Sequence, residues 1–222
     1  MNAADHREFK DRLFEQFARI GKALASPRRL EILDLLSQGE RTVEEIAKET
    51  AMSVASASQH LQVLKAARMV EARREGLYAH YRLVDEDVFR TWQAVRTLAE
   101  SRLSEVDGVV GAYLDDRDGL EAVDAAELME MLNAGSVVVL DVRPEEEYRA
   151  GHIPGAISVP VDALEAALQA LPKDREIVAY CRGPYCVFSD EAVALLGSRG
   201  FRARRLRQGL PDWRAAGMPV EV

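Results

Sequence analysis

The two cysteines of the chain lie within one stretch of six residues, Cys181–Cys186, with the sequence CRGPYC. An apolar run that reads as a strand, residues 176–180, comes before it, and a helical pattern, residues 187–199, follows it. A thiol between a strand and a helix lies where backbone N–H groups and the helix dipole stabilise an anion. The position therefore favours chemistry through a sulfur anion, either a thiolate or a persulfide.

Within this loop, each residue type suggests a role. Cys181 is the predicted nucleophile, and Arg182 is expected to add positive charge beside it. Gly183 and Tyr185 are predicted to help form the cradle for the anion, although the proline between them removes one N–H donor. Cys186 is placed to attack a persulfide on Cys181, which releases sulfide and closes a disulfide or traps the sulfur between the two. A small buried residue that begins a helix is an equally good interpretation of Cys186.

The elements around the loop alternate between strands and helices. Continuous apolar runs at residues 136–140 and 177–180 are typical of strands that are buried on both faces of a parallel sheet. Helical patterns lie between or after them, at residues 125–133, 163–171 and 187–199. We therefore predict an α/β domain with a parallel sheet over residues 120–222.

The first part of the chain is predicted to be mainly helical, with one hairpin. Helical patterns cover residues 9–24, 28–37, 42–49, 54–67 and 86–113, and residues 69–83 read as two strands with a turn at Glu75-Gly76. Thr42 and Glu45 have the spacing of a capping box. Two short helices followed by a hairpin predict a winged helix-turn-helix. The predicted domains are residues 1–114 and 120–222, with a charged linker at 115–119.

Residues 54–67 are predicted to form the helix that reads DNA, because its first residues are small and polar and fit a major groove. Gln59 and His60 are expected to reach base edges, and neighbouring serines and basic residues to contact the backbone. The full predicted set is Ser53, Ser56, Ser58, Gln59, His60, Lys65, Arg73 and Arg74. The first and last helices are expected to form a homodimer that binds two half-sites of an operator. A helical interaction domain is the alternative interpretation.

Composition limits the class of protein. The 222 residues are 30% charged and 48% hydrophobic, which is ordinary for a globular protein. No apolar stretch approaches the roughly 20 residues that span a bilayer, so we expect no membrane association, and two cysteines suggest a reducing cytoplasm. The net charge is −8, and the whole acidic excess lies beyond residue 106. The balanced first half argues against a nonspecific nucleic-acid coat.

Residues 23–33, 53–65 and 81–83 resemble the ArsR/SmtB family of metalloregulatory repressors, and the resemblance extends over about residues 8–100. Arsenic and cadmium sensors of that family carry a cysteine pair where this chain has RTVEEIA at residues 41–47. Their zinc-type site requires histidines on the last helix, and none occurs between Asp85 and Tyr113. We therefore predict no metal site, and expect His60 and His80 to be DNA-contact or wing residues.

Residues 120–222 resemble a single rhodanese domain. The matching segments are LDVRP at residues 140–144, Glu147-Tyr148, GHIPGA at 151–156, the cysteine loop, and GLPDW at 209–213. The resemblance implies that Cys181 accepts a sulfane sulfur, becomes a persulfide and passes the sulfur on. A six-residue loop suits a sulfur atom, whereas related arsenate reductases and phosphatases use a longer loop for an oxyanion. Asp141, Arg143, His152 and Trp213 are expected to be architectural.

Together, the two halves predict a transcriptional regulator, in the simplest case a repressor, that senses reactive sulfur species through Cys181 and Cys186 without a cofactor. The expected sulfane-sulfur donors are polysulfide, persulfides or thiosulfate, and the expected macromolecular partner is operator DNA. Two alternatives remain open. One is a rhodanese-type sulfurtransferase with an attached DNA-binding domain. The other is an As(III) sensor, for which two thiolates without a third soft ligand make a poor site.

Overall fold

A computed structural model of the chain describes residues 3–114 and 120–222. Two compact units are present, and the boundary between them falls in sequence between Trp92 and Gln93. The predicted linker at 115–119 lies outside the described residues, so the domain boundaries on either side of it stay predictions. In the part of the chain that is described, no helix combines the length and the apolar character needed to cross a membrane.

The first unit is a winged helix-turn-helix, as predicted. Its three strands form one antiparallel sheet in the order β1-β3-β2. Buried apolar residues such as Leu33, Ile46 and Leu61 form a core between the helices and this sheet. The elements are α1 (Ala3–Leu24), α2 (Pro27–Leu36), β1 (Arg41–Thr42), α3 (Val43–Glu49), α4 (Val54–Ala66), β2 (Val70–Glu75), β3 (Tyr78–Leu83) and the start of α5 (Glu86–Arg102).

Local hydrogen bonds begin the two helices of the helix-turn-helix. Thr42 and Glu45 form the predicted capping box: the Thr42 Oγ1 accepts from the Glu45 N–H at 3.3 Å, and the Thr42 N–H donates to Glu45 Oε2 at 2.7 Å. Ser53 caps α4 in the same way, because its hydroxyl accepts from the Ser56 N–H at 3.2 Å. Each cap satisfies N–H groups that have no partner inside the helix.

The second unit contains a five-stranded parallel sheet in the order β4-β8-β7-β5-β6. Helices cover both of its faces: α9 and α10 pack on one apolar layer, and α7 and α11 on the other. This arrangement confirms the predicted α/β fold. The elements are α6 (Ser104–Tyr113), β4 (Ala122–Val123), α7 (Ala125–Asn133), β5 (Val137–Asp141), α8 (Glu145–Ala150), β6 (Ile157–Ser158), α9 (Leu164–Ala167), β7 (Glu176–Tyr180), α10 (Phe188–Ser198), β8 (Ala203–Leu206) and α11 (Leu210–Ala215).

Two predicted helices were wrong in their extent. The helix expected over residues 86–113 is divided, because Leu103 has an extended backbone (φ −112°, ψ 101°) that separates α5 from α6. No proline or glycine marks this break in the sequence, and the apolar periodicity continues across it. The pattern therefore predicted one helix. The helix expected over residues 163–171 is reduced to the single turn of α9, with a 3-10 turn on each side. Short 3-10 turns are common connectors of this kind.

Replacement of Thr42 by alanine removes the side-chain half of the capping box and is expected to lower the free energy of unfolding of the first unit by about 1 kcal/mol. Thr42→Ser keeps the hydroxyl and is the matched control. A urea titration followed by hydrogen exchange at α3 measures both. Equal protection in Thr42→Ala and the unmodified protein would contradict the assignment.

The same box predicts a dependence on pH. Partial burial opposes the charged form of Glu45, but hydrogen bonds from Thr42 and the charge of Arg41 hold the pKa of Glu45 below its ordinary value of 4.5. A lowered native pKa contributes stability that is present above the ordinary value and is lost as the pH falls through the native one. The stability difference between Thr42→Ala and the unmodified protein is therefore expected to shrink in that acidic range.

Candidate functional site

The two cysteines lie at the carboxyl end of the central strand of the parallel sheet. Cys181 follows β7 directly, Cys186 lies two residues before α10, and the two sulfur atoms form a disulfide with 6.3 Å between the Cα atoms. Cys181 is buried, with 2% of its surface exposed, and Cys186 is half-buried. The Cys186 N–H donates to the Gly183 carbonyl at 3.2 Å and closes a tight turn. The structure thus brings together the two residues that were predicted to react with each other.

Arg182 faces a buried carboxylate. Its Nε donates to Glu147 Oε1 at 2.9 Å and its Nη2 donates to the same oxygen at 2.5 Å, while the Glu147 side chain is fully buried. The positive charge of Arg182 is therefore shared with Glu147 rather than left entirely for the sulfur atoms. The role of Arg182 beside the Cys181 sulfur stays a prediction. Any effect of its charge on that sulfur is reduced by the ion pair with Glu147.

A buried ionic network lies at the carboxyl ends of β5 and β7. Arg143 donates to both oxygens of Asp141, at 2.9 Å and 2.6 Å, and to the Gly151 carbonyl at 2.8 Å. The Tyr180 hydroxyl donates to Asp141 Oδ2 at 2.5 Å. Burial and the Asp141 charge raise the pKa of Tyr180 far above its usual value, so the phenol stays protonated. Burial works against the Arg143 charge, but the bonds to Asp141 outweigh it and raise the pKa of Arg143. These contacts suit the architectural role expected of Asp141 and Arg143.

Gly209 lies against the backbone of the cysteine loop. A Cβ atom placed on Gly209 would lie 2.1 Å from the Arg182 carbonyl oxygen and 2.5 Å from the Gly183 nitrogen. Real Cβ atoms do not approach a backbone so closely, so only glycine fits here. Gly209 is the residue just before α11, so the position of this helix restricts the path of the cysteine loop.

The last turns of α5, from Gln93 onward, belong to the second unit and contact α11 and the cysteine loop. Asp212 of α11 accepts from Gln93 at 2.7 Å and from Arg96, and the Tyr185 hydroxyl donates to Glu100 Oε1 at 2.6 Å. Burial, followed by the hydrogen bond and charge of Glu100, raises the pKa of Tyr185 to about 12. The Tyr185 side chain therefore bonds to α5, and any part in the predicted anion cradle falls to its backbone.

Helix α4 presents a polar face. Its apolar face is buried through Ala57, Leu61 and Leu64. Of the residues predicted to contact DNA, those on or just before this helix divide by exposure: Ser53, Gln59 and Lys65 are exposed, and Ser56, Ser58 and His60 are half-buried. Two of the serines also have local partners, because Ser53 caps the helix and the Ser56 hydroxyl lies 3.8 Å from the Met52 sulfur.

The wing carries the other two residues predicted to contact DNA. Arg73 Nη1 lies 2.7 Å from Glu75, and its Nη2 lies 3.2 Å from Glu40. The hydrogen bond to Glu75 and the charge of Glu40 raise the pKa of Arg73. To bind a phosphate, Arg73 has to give up its ion pairs with Glu40 and Glu75. Arg74 is exposed on the same strand, and no described carboxylate lies within ion-pairing distance of it.

Comparison with known proteins agrees with both halves of the chain. The model of the family described as bacterial regulatory protein, arsR family, matches residues 26–72, and that of the rhodanese-like domain matches residues 124–216. The HTH-type transcriptional regulator Rv0324 of Mycobacterium tuberculosis is 47% identical over 218 residues, which cover 98% of this chain and 96% of that protein. The chain belongs to the ArsR family. It is a transcriptional regulator that carries a rhodanese-like domain.

Each half of this ArsR-family regulator also has separate relatives. The human thiosulfate:glutathione sulfurtransferase is 36% identical over 95 residues, which cover 41% of this chain and 81% of that protein. A homodimeric winged helix-turn-helix domain from Mycobacterium bovis, solved by NMR and described as a possible ArsR-family regulator, is 53% identical. It has a TM-score of 0.41 and covers 42% of this chain and 87% of its own.

The structure adds contacts that sequence reasoning about this regulator missed. The sequence marked Glu147 as part of a segment that resembles rhodanese. It did not indicate the partner of Glu147, Arg182, which lies 35 residues away. Asp212 and Gly209 likewise lie in a recognisable segment, without a sign of what they touch. Glu100 had no signal of any kind. Among the described residues, no group of three or more His, Cys, Asp or Glu side chains is arranged to hold a metal ion.

The contact at Gly209 predicts a strong effect of one added methyl group. Gly209→Ala is expected to destabilise the second unit by about 1–3 kcal/mol, as overpacking does, and to slow closure of the Cys181–Cys186 disulfide. Gly197→Ala is the matched control, since a Cβ there meets nothing within 4 Å. It is expected to leave stability unchanged or to raise it by up to about 1 kcal/mol. Thermal unfolding and the rate of thiol loss after reductant removal measure both variants, and equal behaviour would refute the steric argument.

Proposed function

We propose that this ArsR-family regulator binds operator DNA as a cytoplasmic homodimer and responds to reactive sulfur species through Cys181 and Cys186. One observation carries the proposal: the only two cysteines of the chain are bonded to each other at the carboxyl end of the central strand of a rhodanese-like domain. The match to an HTH-type transcriptional regulator over nearly the whole chain supports the same combination of domains in one regulator.

The proposed reaction uses two steps. The Cys181 thiolate attacks the sulfane sulfur of a persulfide or polysulfide, the donor thiolate leaves, and Cys181 becomes a persulfide. The Cys186 thiolate then attacks the Cys181 Sγ, the disulfide forms, and the terminal sulfur leaves as hydrosulfide. Two thiols are oxidised by two electrons, and one sulfane sulfur is reduced to sulfide. A low-molecular-weight thiol returns the pair to the reduced form.

Electrostatics decides whether Cys181 reacts as a thiolate. Burial alone raises the pKa of a thiol, because the charged form loses its solvation. For Cys181 to react as a thiolate, the start of α10, an eleven-residue helix, and the N–H groups of the loop have to oppose this effect. The pair with Glu147 reduces what the charge of Arg182 can add. The proposal therefore requires that the local dipoles outweigh burial, and alkylation of the reduced protein across pH reports the balance.

On DNA, we assign α4 to the major groove and the wing to the neighbouring backbone. Gln59 is exposed on α4 and has the donor and acceptor that suit an adenine edge. Large apolar side chains are exposed along α1, and this surface is the one we assign to the homodimer. They are Phe9, Leu13, Phe14, Phe17 and Ile20.

Sulfurtransferase activity is a second candidate function, favoured by the 36% identity to the human thiosulfate:glutathione sulfurtransferase. Catalytic turnover needs the Cys181 persulfide to survive until an acceptor arrives. Closure of the disulfide by Cys186 ends that cycle, which favours a signalling role over turnover. Sustained transfer of sulfur from thiosulfate to cyanide, with far more than one thiocyanate formed per chain, would favour the enzyme instead.

Two substitutions separate contacts to the DNA backbone from contacts to bases. Arg74→Ala is expected to weaken binding to every sequence and to reduce the slope of log K against log salt by about 1. Gln59→Ala is expected to cost about 1–3 kcal/mol on the operator alone and to relax base preference at one position. Arg149→Ala removes a charge from the second unit and serves as the control. Titrations at several salt concentrations measure all three, and identical profiles for Arg74→Ala and Gln59→Ala would contradict these roles.

The sulfur chemistry predicts different outcomes for the two cysteines. Glutathione persulfide is expected to weaken operator binding by the reduced protein about 5- to 150-fold, the usual range of allosteric coupling. Cys181→Ser should show no response. Cys186→Ser should accumulate a persulfide on Cys181 without forming a disulfide. Mass spectrometry run beside a gel-shift titration measures product and binding together. An undiminished response of Cys181→Ser would remove the proposal.

A further inference from the structure

We propose that Glu100 and Arg96 of α5 read the state of the cysteine loop, with Tyr185 and Asp212 as their partners. The inference rests on the proposed function and names the residues that connect sulfur chemistry to the rest of the chain. All four are positioning residues, since none touches a cysteine sulfur in the contacts described above.

Within the second unit, the spacing of three residues defines the face of α5 that bonds to Asp212 and Tyr185. Gln93, Arg96 and Glu100 are three and four residues apart, so their side chains lie on one side of the helix. Gln93 and Arg96 donate to Asp212, and Glu100 accepts from Tyr185. Arg96 is largely buried, and its Nε lies 3.6 Å from Glu100 Oε1. One guanidinium therefore connects the two acidic residues.

These contacts reach both ends of the cysteine loop. At one end, Tyr185 is the residue next to Cys186, so movement of Cys186 moves the phenol that bonds to Glu100. At the other end, the backbone of Arg182 touches Gly209, whose N–H lies 3.4 Å from Asp212 Oδ2. The loop thus has one hydrogen-bonded and one steric connection to the same face of α5.

Opening the disulfide changes what holds this loop in place. The Cys181–Cys186 bond ties the two ends of a four-residue segment together, and reduction leaves that segment restrained by its remaining contacts. The raised pKa of Tyr185, about 12, keeps its hydroxyl a donor at neutral pH, so the bond to Glu100 is available in either state. The strength of that bond then depends on where the loop lies.

Helix α5 is continuous from these contacts back into the first unit. Val88 belongs to the core of that unit, and the Trp92 indole N–H donates to Asp34 on α2 at 2.9 Å. A shift in the preferred position of α5 would therefore change its contacts with α2. Coupling of this kind is reciprocal, so operator DNA also has to change the equilibrium between the open and closed cysteine pair.

The test compares the full-length protein in its reduced and disulfide forms. The unmodified protein is expected to differ at least about fivefold in operator affinity between the two. In Glu100→Ala this ratio should fall towards one, while mass spectrometry still finds the disulfide after persulfide treatment. Glu130→Ala, which removes an exposed carboxylate from α7, should keep the full ratio. Tyr185→Phe should match Glu100→Ala, and the double variant should lose no more than either one alone.

Each result has a distinct meaning. A full ratio in both Glu100→Ala and Tyr185→Phe overturns the inference and leaves the proposed function intact. No difference between the two forms of the unmodified protein overturns both. A reduced ratio in Glu130→Ala as well would show that loss of any acidic charge suffices, which also overturns the inference. Operator DNA should shift the thiol–disulfide equilibrium of the unmodified protein, and this shift should vanish in Glu100→Ala.

Discussion

The close approach of Gly209 to the backbone of Arg182 constrains the whole cysteine site. With no room for a Cβ atom, the loop has to pass α11 at one fixed distance. Helix α11 is itself held by Trp213, which is fully buried and donates its indole N–H to the Pro219 carbonyl at 2.7 Å. The loop therefore starts at the end of β7, passes α11 at Gly209, and continues through the few residues before α10. The proposed sulfur chemistry would act through that short segment.

Buried charged residues also fix the arrangement around the cysteine loop. Asp141 and Arg143 have no exposed surface, and Glu147 lies beside them with Arg182 as its partner. Buried ion pairs stabilise little by themselves, but the removal of one partner leaves an uncompensated charge and is strongly unfavourable. Such a network specifies one arrangement of the strand ends rather than adding to the overall stability. The sulfur chemistry that we propose for the loop would benefit from that specificity.

The sequence predicted most of the helices and strands, but few of the hydrogen bonds and ion pairs that join residues distant in the chain. The apolar runs of β5 and β7 and the capping box at Thr42 carry local signals, and each element formed where expected. The break at Leu103 carries no such signal, because Leu103 is itself apolar and continues the helical pattern although its backbone is extended. The pairs Arg182–Glu147 and Tyr185–Glu100 join residues 35 and 85 positions apart. Contacts at that range depend on tertiary packing, which no local pattern encodes.

The distribution of cysteines shapes how a signal can travel in this regulator. The helix-turn-helix contains none, so any thiol chemistry is confined to the rhodanese-like domain, far in sequence from Gln59. The proposed response needs an element that belongs to both units, and α5 has residues on either side of the boundary at Trp92. Its first turns contribute to one core and its last turns bond to Asp212 and Tyr185. In our proposal, the contacts at the two ends of α5 set how much of a change in the cysteine loop reaches the winged helix-turn-helix.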